Sequence, residues 1–191
     1  MNRKIFIVAH PYEIGLERLE KEGFNRIQAS ESPLPIMYER EDSVVAIIGI
    51  GAGEARPSLL WMKEKGCFSG ADVLLAGSAG SYALPVLHTV QCRSGYPAWD
   101  SGYEQGEIVC VHEFVSPENP HPELHVPGTC FDMESETLLD ICRDADVKTL
   151  SIVKVISDDG SGSLGDWATV CQQKVQPKVW QVLTDFFKNM L

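Results

Sequence analysis

Cys130-Phe131-Asp132-Met133-Glu134-Ser135 and, about two dozen residues on, Val155-Ile156-Ser157-Asp158-Asp159 mark the two ends of one helix-then-strand unit. From Glu134 the apolar Leu138, Leu139, Ile141, Cys142 and Ala145 recur at helical spacing, and Leu150 to Ile156 then reads as a strand buried on both faces. A unit of this kind can bring two distant acids, Glu134 and Asp158, to one pocket.

The rest of the chain repeats that alternation. Lys4 to Ala9 is a short apolar run, followed by a helix over Glu13 to Lys21 that Gly23 stops. Ser43 to Ile50 is a near-continuous apolar run ending among Gly49, Gly51 and Gly53, and a helix over Glu54 to Lys65 follows, with Pro57 in its first turn. Asp72 to Ala76 is a third buried strand, leading into the glycine-rich turn Gly77 to Ser81. His88 to Tyr96 and Glu107 to Phe114 are further strands, with a turn over Trp99 to Gln105 between them. The proline-rich Ser116 to Gly128 reads as a loop. Two helices close the chain, the last with Val179, Val182, Leu183, Phe186, Phe187 and Met190 on one face. These elements predict one α/β domain over residues 1–191, with a central mixed, mostly parallel sheet flanked by helices. In such folds ligands bind at the carboxyl ends of the strands.

Composition narrows the function. The 27 acidic and 16 basic side chains among 191 residues leave a formal charge of −11, a field that repels a nucleic-acid backbone. The apolar run after Met1 is too short for a signal peptide, and no run is long enough to span a bilayer. The six cysteines are widely spaced, without a C-x-x-C pair, which predicts reduced thiols and a cytoplasmic setting. Gly49, Gly51 and Gly53 do not form the dinucleotide fingerprint. His121 and His125 lie in the proline-rich loop, where solvated histidines are the simpler reading than a zinc site. Neither a metal nor an organic cofactor is expected. Trp61 and Trp99 fit either the core or a subunit interface.

Together, Ile48-Gly49-Ile50-Gly51, Ala76-Gly77-Ser78-Ala79-Gly80, Phe114-Val115, Phe131-Asp132-Met133-Glu134 and Val155-Ile156-Ser157-Asp158 resemble the nucleoside phosphorylase superfamily, and within it the methylthioadenosine/S-adenosylhomocysteine nucleosidases. The resemblance covers most of the chain. It implies a shortened fold of that type and cleavage of an N-glycosidic bond to a purine, in a homodimer, with a small-molecule nucleoside as the partner. Such cleavage builds positive charge on the ribose and negative charge on the base, so the site needs a proton donor and sugar-binding acceptors.

The resemblance implies that Asp158 protonates the base and Ser157 orients it, that Glu134 accepts from the ribose hydroxyls, and that Met133 packs on the sugar. Phe114 would stack on the base, with the Val115 main chain reading its edge, and Ser78, Ala79 and Gly80 would line the ribose side. Glu13 matches the base that activates water, although His10-Pro11-Tyr12 replaces the family's usual small-Met-acid run. Lys154 stands where nucleosidases have arginine, and Gly162 to Trp167 where they have a polar loop covering the site. Phosphorylases of the superfamily carry a phosphate-binding arginine where this chain has Leu75, which favours water as the nucleophile; Arg56 reads as a surface helix residue. A phosphorolytic enzyme and a catalytically silent nucleoside-binding paralogue remain the alternatives.

Overall fold

A computed structural model describes residues 3–27 and 34–188. Met190, expected on the last helical face, lies outside them. The elements are β1 (Lys4–Val8), α1 (Pro11–Ile14), α2 (Leu16–Lys21), β2 (Asn25–Ile27), β3 (Ile36–Arg40), β4 (Ser43–Ile47), α3 (Gly51–Glu64), β5 (Asp72–Gly80), β6 (Thr89–Cys92), β7 (Glu104–Cys110), β8 (Thr129–Asp132), α4 (Ser135–Cys142), β9 (Thr149–Asp158), α5 (Leu164–Val170) and α6 (Gln176–Lys188). One π-helical turn, Cys171–Val175, joins α5 to α6.

The sheet order is β2-β3-β4-β1-β5-β8-β7-β6-β9, and β5 also pairs with β9. Strands β5, β8, β7, β6 and β9 therefore form a closed ring of pairings, from which β1, β4, β3 and β2 extend as an open arm. Parallel pairings join β1 to β4 and β5, β5 to β9, β6 to β7 and β7 to β8. Antiparallel ones join β2 to β3, β3 to β4, β6 to β9 and β5 to β8. The sheet is thus mixed, with five parallel and four antiparallel pairings among the described residues, and the longest parallel run is β4, β1, β5 and β9.

Successive strand residues point to opposite faces, and each face has its own core. Ile5, Ile7, Val44, Ala46, Val73 and Leu75 pack with Leu59 and Met62 of α3 and with Leu138 and Ile141 of α4. Phe6, Val8, Val45, Ile47, Leu74 and Val153 pack with Val179, Val182, Leu183 and Phe186 of α6. Each such buried Val, Leu, Ile, Met or Phe side chain stabilises the fold by about 1.5–3 kcal/mol. Trp99 belongs to this second core, edge-on to Phe186 at 5.5 Å, rather than to an outer surface.

Several boundaries differ from the sequence reading for identifiable reasons. The first helix is split at Gly15, whose φ of +75° interrupts it. The third helix begins at Gly51, which puts Pro57 inside it rather than in its first turn. Gly77 to Gly80 is not a turn but the end of β5, held in strand form by register with β9 from Asp72↔Thr149 to Ala79↔Ile156. Gly80 is required there, because a Cβ would come within 2.1 Å of the Phe131 ring. The turn over residues 93–103 gives way to β7 at Glu104, three residues earlier than expected.

Candidate active site

The parallel strands β4, β1, β5 and β9 end on one side of the sheet, and a cavity of about 510 Å³ opens over their carboxyl ends. Ala9 and His10 follow β1, while Ile50, Gly53 and Glu54 follow β4. Ser78 to Gly80 end β5, and Ser157 and Asp158 end β9. The remaining wall comes from Val111, Glu113, Phe114 and Val115 after β7 and from Phe131 to Glu134 at the end of β8. Glu13, Glu134 and Asp158 thus line a single cavity with Phe114, Val115, Met133, Ser78, Ala79, Gly80 and Ser157.

Glu13 reaches the cavity from the first turn of α1, where His10 caps the helix. Its carboxylate is nearly enclosed, at 2% exposure, and four donors hold it. The amides of Ala9 and His10 donate to Oε2 at 2.9 and 3.1 Å, and the Ser78 amide and hydroxyl donate to Oε1 at 2.6 and 2.7 Å. Charge-assisted bonds of this number compensate the burial of a carboxylate. Gly77 leaves the room: it sits at φ +132°, and a Cβ there would lie 2.6 Å from Glu13 Oε1. Trp167, on α5, donates from Nε1 to Ser78 Oγ at 3.0 Å and completes that side.

Asp158 owes its position to an irregularity. The register between β5 and β9 shifts after Ala79, so Gly80 opposes Asp158 and Ser157 is left as the extra residue. Such a bulge re-aims side chains that would otherwise alternate between faces. Both Ser157 and Asp158 consequently face the cavity. The Ser157 hydroxyl lies 2.6 Å from Asp158 Oδ2 and 3.2 Å from the Ala79 carbonyl. Its single proton serves one of these two acceptors at a time. The Gly160 amide donates to Oδ1 at 3.0 Å.

The third carboxylate belongs to a different kind of cluster. Glu134 precedes α4 and accepts from the Gly51 amide at 2.6 Å. Burial pushes its pKa up to about 7; Lys154 opposes that rise and Asp132 adds to it. Lys154 Nζ pairs with Asp132 Oδ2 at 2.8 Å, both side chains being fully enclosed. Burial alone would lower the ammonium pKa, but Asp132, Glu134 and Glu13 together raise it above its ordinary value. Asp132 also accepts from the Ser135 amide and hydroxyl at 3.2 and 2.6 Å.

Lys154 is the one expected site residue outside the cavity wall. It stands behind the wall, where it neutralises Asp132. The sequence reading did not single out His10, Glu54, Asp132 or Trp167, all of which line the cavity. Asp132 sits inside the quoted motif, His10 caps the helix that carries Glu13, and Trp167 follows the capping box of Ser163 and Asp166. Arg56 is half-exposed and paired with Asp140 at 3.2 Å, away from the cavity, while Leu75 is fully enclosed in the core.

The architecture matches solved structures over nearly the whole chain. The fold is that of solved nucleoside-cleaving hydrolases. A 5′-methylthioadenosine/S-adenosylhomocysteine nucleosidase from Neisseria meningitidis, in complex with methylthio-immucillin-A, superposes with a TM-score of 0.74 at 19% identity, covering 99% of this chain and 100% of that one. A putative nucleosidase of the same description from Francisella philomiragia gives 0.75 at 17% identity, over 98% and 100%. A futalosine hydrolase mutant from Helicobacter pylori strain 26695 gives 0.75 at 16%, over 99% and 100%. No protein-family model and no curated sequence matches the chain. Among its described residues this nucleosidase-like fold has no grouping of three or more side chains suited to a metal ion. His121 bonds Glu123 at 2.8 Å and His125 stacks on Tyr82 with ring centroids 4.0 Å apart. No helix among the described residues is long and apolar enough to cross a membrane.

Proposed function

We propose that the chain hydrolyses the N-glycosidic bond of a purine nucleoside, of the group that includes methylthioadenosine, S-adenosylhomocysteine and related compounds. The observation that carries this reading is the convergence of Glu13, Glu134 and Asp158 on one cavity beside Phe114. The base lies against Phe114 and the Val115 main chain, and the ribose rests on Met133, with its hydroxyls donating to Glu134. Asp158 gives its proton to the imidazole nitrogen of the base as the C1′–N bond breaks, and the Ser157 hydroxyl turns to the carboxylate left behind. Water attacks C1′ and loses its proton to Glu13. Ser78 holds Glu13 in place throughout. Acid and base steps of this kind contribute about 10²–10⁴-fold each.

The enclosed Leu75 and the surface ion pair of Arg56 support water over phosphate, since neither offers the cavity a guanidinium. The six free thiols suit a reducing, cytoplasmic setting. A homodimer is carried by the family resemblance alone. The test is release of free base from a panel of purine nucleosides, with and without phosphate. Phosphate-independent release supports the proposal, phosphate-dependent release replaces it with phosphorolysis, and no release at all overturns it.

A further inference from the structure

The strands that end at the cavity stand in the order β4, β1, β5, β9. That order gives the cavity a direction. Asp158 marks the base end at β9, and Glu13 with Ser78 marks the point of attack at β5. The opposite end, over β1 and β4, then takes the far side of the ribose, with the ring hydroxyls at Glu134 beside Gly51 and the 5′ position next to them. The two strand ends there are tied together, the Gly49 amide donating to the Ala9 carbonyl at 3.0 Å. Two polar side chains that the reaction does not use occupy this corner, His10 and Glu54.

The orientation of His10 is fixed. Its Nδ1 accepts from the Tyr12 amide at 3.2 Å, so the neutral ring carries its proton on Nε2. The ring is packed edgewise between Tyr12, at 4.3 Å, and Trp167, at 5.8 Å. Burial lowers its pKa below the ordinary value, against the pull of Glu13 and Glu54, which keeps the ring neutral at pH 7. Glu54 accepts from the Ile50 amide through Oε2 at 3.0 Å and carries a second carboxylate oxygen. The corner therefore offers one N–H donor and one anionic acceptor. A hydroxyl both accepts and donates and satisfies both; a thioether satisfies neither well, and an anionic substituent would meet Glu54 and Glu13.

We propose that His10 and Glu54 recognise a 5′-hydroxyl, so that the chain prefers nucleosides with an unmodified ribose to their 5′-thioethers. This rests on the nucleosidase reading above. The bonds a thioether would forgo, to a half-buried imidazole and an exposed carboxylate, separate two substrates by about two- to tenfold.

The experiment compares kcat/KM for adenosine and 5′-deoxy-5′-methylthioadenosine in the intact chain, in His10→Met and in His10→Gln. The intact chain is expected to favour adenosine. His10→Met loses about two- to tenfold on adenosine without a matching loss on the thioether, and His10→Gln, whose amide keeps a donor, retains the preference. A misfolded variant would lose both substrates alike and is identified by its circular dichroism, in which case the preference of the intact chain decides. A thioether preference in the intact chain, or equal losses on both substrates in a folded His10→Met, overturns the inference and leaves the nucleosidase reading standing. If neither compound is cleaved, the nucleosidase reading falls. Calorimetric binding to the intact chain then tests the corner by itself, with tighter adenosine binding supporting it and tighter thioether binding refuting it.

Discussion

Two regions of the cavity wall hold buried carboxylates by different means. Around Glu13 the compensation comes from neutral dipoles, three backbone amides and the Ser78 hydroxyl. Around Glu134 and Asp132 it comes from a buried cation, Lys154, assisted by the Gly51 amide and by Ser135. Dipoles fix the direction of a carboxylate without adding charge, which suits the base role proposed for Glu13. A cation among two acids sets the charge state of the cluster and makes it sensitive to pH.

The largest expected consequence of that difference is at Lys154. Lys154→Met leaves Asp132 and Glu134 without their cation and is expected to lower stability by about 3–5 kcal/mol near pH 7, measured by urea unfolding. Loss of the cation raises the folded-state pKa of Glu134 further, since Lys154 opposes that rise. Raised values favour the fold below the unfolded pKa and cost stability as pH rises, so the deficit should shrink towards pH 5. A deficit independent of pH would contradict the charged account. Glu13→Gln comes next. Its amide group turns a donor towards donors, and the expected loss is about 1–3 kcal/mol, together with loss of turnover.

Glu134 gives a smaller, sharper signal. Its folded-state pKa of about 7 lies above the ordinary 4.5. The stability it contributes is present below pH 4.5 and is lost as pH rises through about 7. The melting temperature should therefore fall between pH 5 and 8, and Glu134→Gln should flatten that fall. The same ionisation should give kcat/KM an acid limb near pH 7, since only the carboxylate accepts from two hydroxyls. The smallest effect is expected at Arg56, whose exposed pair with Asp140 is worth about 0–1 kcal/mol; Arg56→Ala should leave turnover unchanged with and without phosphate.

How far the sequence could be read depended on where the signal was local. Buried strands β1, β4, β5 and β9 were legible because each is a run of apolar residues enclosed on both faces. The β2–β3 hairpin and β8 were not. Ile36–Arg40 mixes apolar and charged residues one strand in from the sheet edge, and Thr129–Asp132 is four residues long after a proline-rich loop. The strand form of Gly77 to Gly80 depends on pairing with β9, a long-range effect that overrides the turn preference of glycine. That the three carboxylates share a cavity was legible through family motifs, whereas Lys154, expected at the ligand, lies behind the cavity wall paired with Asp132. His10 and Trp167 meet only through folding, their rings coming within 5.8 Å across more than 150 residues of chain.

The most direct test of the central claim is to follow the attacking oxygen. Purine nucleoside is incubated with the chain in heavy-oxygen water containing phosphate, and the products are weighed by mass spectrometry. The account predicts free purine and a ribose carrying one heavy oxygen, both lost in Asp158→Asn. A sugar phosphate in place of the labelled ribose, or intact nucleoside at the end of the incubation, would contradict it.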